Sequence, residues 1–80
     1  MNPIARMREE TGLSLRELAQ VLGLNFWTLW RIEKGYPAGL SLLVALRLKE
    51  HGYEGDPVED YHKWREERRK TLLGEQKKPR

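Results

Sequence analysis

Residues 25–34, Asn-Phe-Trp-Thr-Leu-Trp-Arg-Ile-Glu-Lys, place three aromatic rings and two cations in one short segment. Cations meet phosphates, while aromatic side chains meet bases and their methyl groups, so the chemistry on offer is recognition of an anionic, base-bearing partner. Arg16, upstream, adds a further cation. Little else competes with this reading. The chain has no cysteine, and His51 and His62 lie far apart with no carboxylates at ligand spacing, so no metal site is expected. No nucleophile–base pair and no glycine-rich phosphate loop is present, so neither an enzymatic role, a cofactor nor a small-molecule ligand is indicated.

The segment can act only if its side chains share a face, and a helix sorts them. At about 100° per residue, Leu29, Ile32 and Glu33, with Tyr36 one turn on, fall on one side and are expected inward. Trp27, Arg31 and Lys34 fall opposite and are expected in solvent. Phe26, Thr28 and Trp30 take the flanks, and Asn25 is placed to cap the helix and to offer its first turn to a phosphate. For Trp27 and Trp30 a contact with a partner competes with packing into the fold. For Arg16, Arg31 and Lys34 the alternative to a phosphate or base contact is an ordinary solvated charge.

The neighbouring elements are punctuated by glycine. Asn2-Pro3 opens a first helix carrying Ile4, Met7 and Arg8 on one face and stopping at Gly12. Ser14 and Glu17 form a capping box for a second, with Leu15, Leu18, Ala19 and Leu22 as its apolar stripe and Gly23 as its end. Only Gly23-Leu24 then separates it from the segment at 25–34. So short a joint demands a sharp corner, with Gly23 in the left-handed region and Leu18, Ala19, Leu24, Leu29 and Ile32 filling the angle.

After a Tyr36–Gly39 loop, a fourth helix is predicted from about Leu40 to His51. Its Leu40, Leu43, Val44, Leu46 and Leu48 are expected to lie against the other helices. Asp56-Pro57-Val58-Glu59 caps a fifth helix at 57–73, closed by Gly74. Its stripe of Val58, Tyr61, Trp64, Arg65, Arg68 and Leu72 either packs on helices one and four or forms a dimer interface. Glu59–Lys63 and Glu66–Lys70 are i,i+4 pairs on its exposed side. Arg68-Arg69-Lys70 and Lys77-Lys78-Pro79-Arg80 either add phosphate contacts or serve solubility. No strand signal appears. The reading is therefore a compact, all-α, five-helix domain over 1–74, followed by a disordered basic tail at 75–80.

Eighty residues allow one domain, burying about 60–65% of its extended-chain surface. Apolar runs fall far below the roughly 20 residues that span a membrane, and the N-terminus lacks a signal-peptide layout. An intracellular, cytoplasmic and soluble protein is expected. Net charge is +3, divided unevenly: residues 1–61 hold 7 Lys/Arg against 9 Asp/Glu, and residues 62–80 hold 8 against 3. A basic segment beside a near-neutral domain points to an anionic partner, nucleic acid being the usual one.

Taken together, Arg8-Glu9-Glu10-Thr11-Gly12-Leu13-Ser14, Leu18-Ala19, Leu22-Gly23-Leu24-Asn25 and Leu29-Trp30-Arg31-Ile32-Glu33-Lys34-Gly35 resemble the lambda-repressor-like helix-turn-helix family, the Cro and repressor type, over roughly residues 4–53. The resemblance implies that helix three enters the DNA major groove, that the unit works as a dimer on a two-fold operator, and that Arg8 and Glu33 form an internal ion pair. The chain departs from the pattern at two points. Leu15 stands where relatives usually carry a glutamine that touches phosphate or base. Phe26 and Trp27 stand where polar base-readers are usual; aromatics can touch thymine methyl groups or wedge against the backbone, but offer no bidentate hydrogen-bond code.

The function expected is sequence-specific double-stranded DNA binding by a transcriptional repressor, with Arg16, Asn25, Phe26, Trp27, Thr28, Trp30, Arg31 and Lys34 as the contact set. The alternative is a protein-interaction module, antitoxin-like or a phage regulator, using the aromatic face of helix three to hold a protein partner.

Overall fold

A computed structural model describes residues 1–76 as five helices: α1 (Pro3–Thr11), α2 (Leu15–Leu22), α3 (Phe26–Lys34), α4 (Leu42–Glu50) and α5 (Pro57–Gln76). Among the described residues there is no strand, and no helix is long and apolar enough to cross a membrane.

Each helix start has a named cap. Asn2 accepts from the Ile4 and Ala5 amides, and Asn25 Oδ1 accepts from Trp27 N at 2.8 Å. Ser14 and Glu17 form the reciprocal capping box. The Ser14 backbone N–H, donating to Glu17 at 2.9 Å, holds that carboxyl below the usual carboxylate range. Ser41 accepts from Val44 N, and Asp56 accepts from Val58 N and Glu59 N. Such caps supply partners for amides that the helix leaves unpaired.

The apolar stripes meet in one core. Ile4, Leu18, Leu22, Leu29, Val44, Leu48 and Tyr61 are each all but inaccessible to solvent, and a buried side chain of this size stabilises the fold by about 1.5–3 kcal/mol. α2 packs on α3, α1 on α3 and α5, and α4 on α5. Gly23, at φ +66°, turns the chain between α2 and α3, and Ala19 is buried near that corner.

Three expectations change. α4 begins after Ser41 and buries Val44, Ala45 and Leu48, with Leu40 buried just before it. Leu42, Leu43 and Leu46 lie on its opposite side, 76%, 54% and 61% exposed. The packing of α4, chiefly on α5, covers one face and leaves the opposite leucines in solvent. Tyr36, expected inward, is 61% exposed: Gly35 caps α3 in the left-handed region at φ +82°, and this redirects the chain before Tyr36 can continue the helical face. Finally, α5 runs through Gly74 to Gln76, so residues 75 and 76, expected in the tail, are helical; the Lys77–Arg80 part of the expected tail lies outside the described residues.

Within the α5 stripe, Tyr61 and Trp64 pack on the core of the chain, whereas Val58 and Leu72 are exposed. The Glu59–Lys63 pair closes at 3.8 Å; no ion pair joins Glu66 to Lys70 among the described residues. Twenty residues of α5 amount to about 30 Å of helix, which draws the molecule out to 47 × 21 × 20 Å.

Candidate nucleic-acid interface

α3 is held at both ends and along its inner face. Leu29 and Ile32 anchor its middle in the core. Asn25 closes its first turn. At its C-terminal end, the buried Asn2 amide donates to Ile32 O at 3.0 Å. Arg8 Nη1 reaches both Glu33 carboxylate oxygens, at 3.0 and 2.8 Å, which is the ion pair the family resemblance implies.

The remaining clamp comes from α5. Arg68 Nη1 donates to Lys34 O at 2.6 Å. Arg65 donates to Gly35 O at 3.1 Å and Ala38 O at 3.3 Å, and the Tyr61 hydroxyl donates to Pro37 O at 2.6 Å. Helix carbonyls without intrahelical partners, and the negative end of the helix dipole, favour such cationic donors. Two arginines that the sequence offered for phosphates or solubility, or placed in an apolar stripe, thus have structural employment. Their backbone partners carry no side-chain signature, so only the tertiary arrangement shows them.

Every clamp acts on the inner side or the backbone of α3, and the outer face is left open. Trp27 is 62% exposed, and Thr28, Arg31 and Lys34 are exposed beside it. Phe26 and Trp30 are half-buried flanks resting on the core. Phe26, Trp27, Trp30 and Tyr36 form a continuous edge-to-face series, with successive ring centroids 5.1, 5.7 and 5.6 Å apart. The Arg16 guanidinium lies 4.7 Å from the Phe26 ring centre, and Lys34 Nζ lies 5.8 Å from that of Trp30. Arg16, Arg31 and Lys34 make no ion pair among the described residues. α3 therefore presents an aromatic flank and a polar flank of Thr28 and Arg31, with cations along both.

Two depressions border this face. A cleft of about 180 Å³ lies between Thr28 and Arg31 on one side and Pro37, Gly39 and Ser41 on the other. A groove of about 590 Å³ separates Lys34 and Tyr36 from Arg65, Arg68 and Arg69 of α5. Among the described residues no three His, Asp or Glu side chains converge as a metal site would require.

All eight residues expected to make contact thus lie on or beside α3, seven in or capping it and Arg16 supplied by α2. Asn25 differs in one respect, since its side-chain oxygen already accepts from Trp27 N.

Comparison with known proteins agrees with this geometry. A family model described as helix-turn-helix matches residues 4–49. A Pyrococcus horikoshii protein whose name gives HTH-type transcriptional regulatory protein as a provisional role is 52% identical over 44 residues, covering 55% of this chain and 14% of that protein. The chain thus spans a small part of that relative's length. No solved structure matches the chain. With α2 and α3 forming the sharp two-helix corner and the family model covering more than half of its length, the chain belongs to the lambda-repressor-like helix-turn-helix family.

Proposed function

We propose that this chain is a sequence-specific double-stranded DNA-binding transcriptional regulator, a repressor acting as a homodimer on a palindromic operator, with α3 in the major groove. The observation that carries the proposal is the open face of α3, where Arg16, Arg31 and Lys34, without ion-pair partners among the described residues, surround an exposed Trp27. Cations so placed can neutralise phosphates on either side of a groove, while the side chains between them meet base edges. The P. horikoshii relative, named as a regulator, supports the regulatory role. Support for the dimer comes from α4, whose exposed Leu42, Leu43 and Leu46 form an apolar strip on a small domain.

Selection of bound duplexes from a random pool at about 0.15 M salt tests the reading. Enrichment of a two-fold symmetric site, with half-sites roughly one helical turn apart, is the expected result. Failure to retain any duplex would overturn it. The aromatic series of α3 also favours a second reading, a surface for a protein partner. Protein binding that is insensitive to salt and abolished by Trp27→Ala would support that reading. DNA binding would instead weaken steeply with salt, by about 0.9 in the log–log slope for each phosphate neutralised.

A further inference from the structure

We infer that Trp27 is a specificity-determining residue that reads the C5-methyl group of a thymine, so that each half-site favours a 5-methylated pyrimidine at one position. The inference rests on the DNA-binding reading above and adds the chemical feature that is recognised.

The indole of Trp27 stands on the first turn of α3, the part of a recognition helix that reaches base edges, and it is the most exposed aromatic ring of the helix. Phe26 and Trp30, on the same flank of α3, meet it in edge-to-face contacts at 5.1 Å and 79° and at 5.7 Å and 75°. Both buttresses rest on the core, and Arg16 covers Phe26 in turn. A large apolar surface is therefore supported along one flank before any partner arrives, which reduces the ordering cost of binding.

The chemistry of the ring then selects its target. Indole carries a single N–H donor and no acceptor, so it cannot match the paired donor and acceptor patterns that distinguish bases. The apolar group that B-DNA displays in its major groove is the thymine C5-methyl. Arg31 follows Trp27 by one helical turn and shares the exposed side of α3. The face thus combines one apolar reader with one hydrogen-bonding reader, and Phe26 and Trp30 act as positioning residues for the former.

Uracil differs from thymine by that methyl group alone, and this makes the test sharp. In the duplex recovered by selection, each thymine is replaced singly by uracil, and affinity is measured for the wild type and for Trp27→Ala, whose helicity is checked by circular dichroism. The expected result is a loss of about 3- to 10-fold at one symmetric position in each half-site. Trp27→Ala should bind the thymine and uracil duplexes equally, and 5-methylcytosine should retain part of the thymine preference. If every uracil duplex binds the wild type as tightly as its thymine parent, the inference fails while DNA binding stands. It fails in the same way if Trp27→Ala keeps the full discrimination. If no duplex of either kind is bound, the functional reading itself fails.

Discussion

Gly35 is the position at which the α3–α5 contact can be tested by a single methyl group. Its φ of +82° lies in the left-handed region, and a Cβ built there would fall 2.9 Å from two carbons of the Trp64 ring and 3.0 Å from Arg68 Nη1. Gly35→Ala therefore carries two costs. The backbone conformation costs an L-residue about 1–2 kcal/mol. The overlap adds about 1–3 kcal/mol, because ordinary carbon contacts need about 3.5–4.0 Å and Trp64 is packed against the core. Gly12 supplies the control, since it has a similar φ of +73° with nothing within 4 Å of a Cβ. Gly12→Ala should show the conformational cost alone. Thermal unfolding by circular dichroism should then separate the two variants by about 4 °C or more in Tm, at the 4–8 °C per kcal/mol usual for a small domain. Trp64→Ala should remove most of that difference in a double-mutant cycle, since it takes away the two nearest atoms and leaves only the flexible end of Arg68. Equal Tm values for the two alanine variants would refute the close approach of α5 to the end of α3.

Three further outcomes are expected. Arg31→Ala should weaken operator binding by about 1–3 kcal/mol at matched salt, towards the upper end if it reads a base; unchanged affinity in a filter or gel-shift titration would remove α3 from the groove. Burial, together with a 2.6 Å hydrogen bond to Asp60, pushes the Tyr53 hydroxyl up to about 12 from an ordinary value near 10. The folded state thus favours the protonated phenol, so this contribution to stability is complete below pH about 10 and is lost as pH rises towards 12; urea midpoints should fall with pH in that window, and Tyr53→Phe should flatten the slope. Leu42→Asp combined with Leu46→Asp should leave helicity intact but yield a monomer in sedimentation equilibrium; a wild type that never dimerises, or a double variant that still does, would take α4 out of the interface.

The legible parts of this fold are those encoded locally. Asn2, Ser14, Asn25 and Asp56 declare helix starts because a short polar side chain satisfies amides two or three residues on. Leu29 and Ile32 declare the inner face of α3 by spacing alone. α4 is harder, because a nine-residue helix rich in leucine has an apolar residue on nearly every side. Periodicity then cannot say which side is buried, and Leu43 and Leu46, expected inward, point out. Gly74 misleads in the opposite way. Glycine permits a helix end but does not compel one, and α5 continues through it to Gln76.

The grouping of the contact candidates is legible in the sequence, but not what supports them. All eight contact candidates fall on or beside one face because helical geometry fixes that grouping. What the sequence does not spell is that Asn2, Arg65 and Arg68 donate to backbone carbonyls around the C-terminal end of α3. Any residue presents a carbonyl, so such partners leave no trace in composition, and the arginines read as surplus charge. Their actual placement bears on recognition. Three donors gathered at the end of α3 fix the axis of the helix without drawing on a single side chain of its outer face. Recognition requires the opposite allocation for Arg16, Arg31 and Lys34, which make no ion pair among the described residues and can exchange solvent for phosphate. The net charge of +3 is thus a poor guide to the interface. The cations that hold the helix and the cations that can meet a partner are different residues.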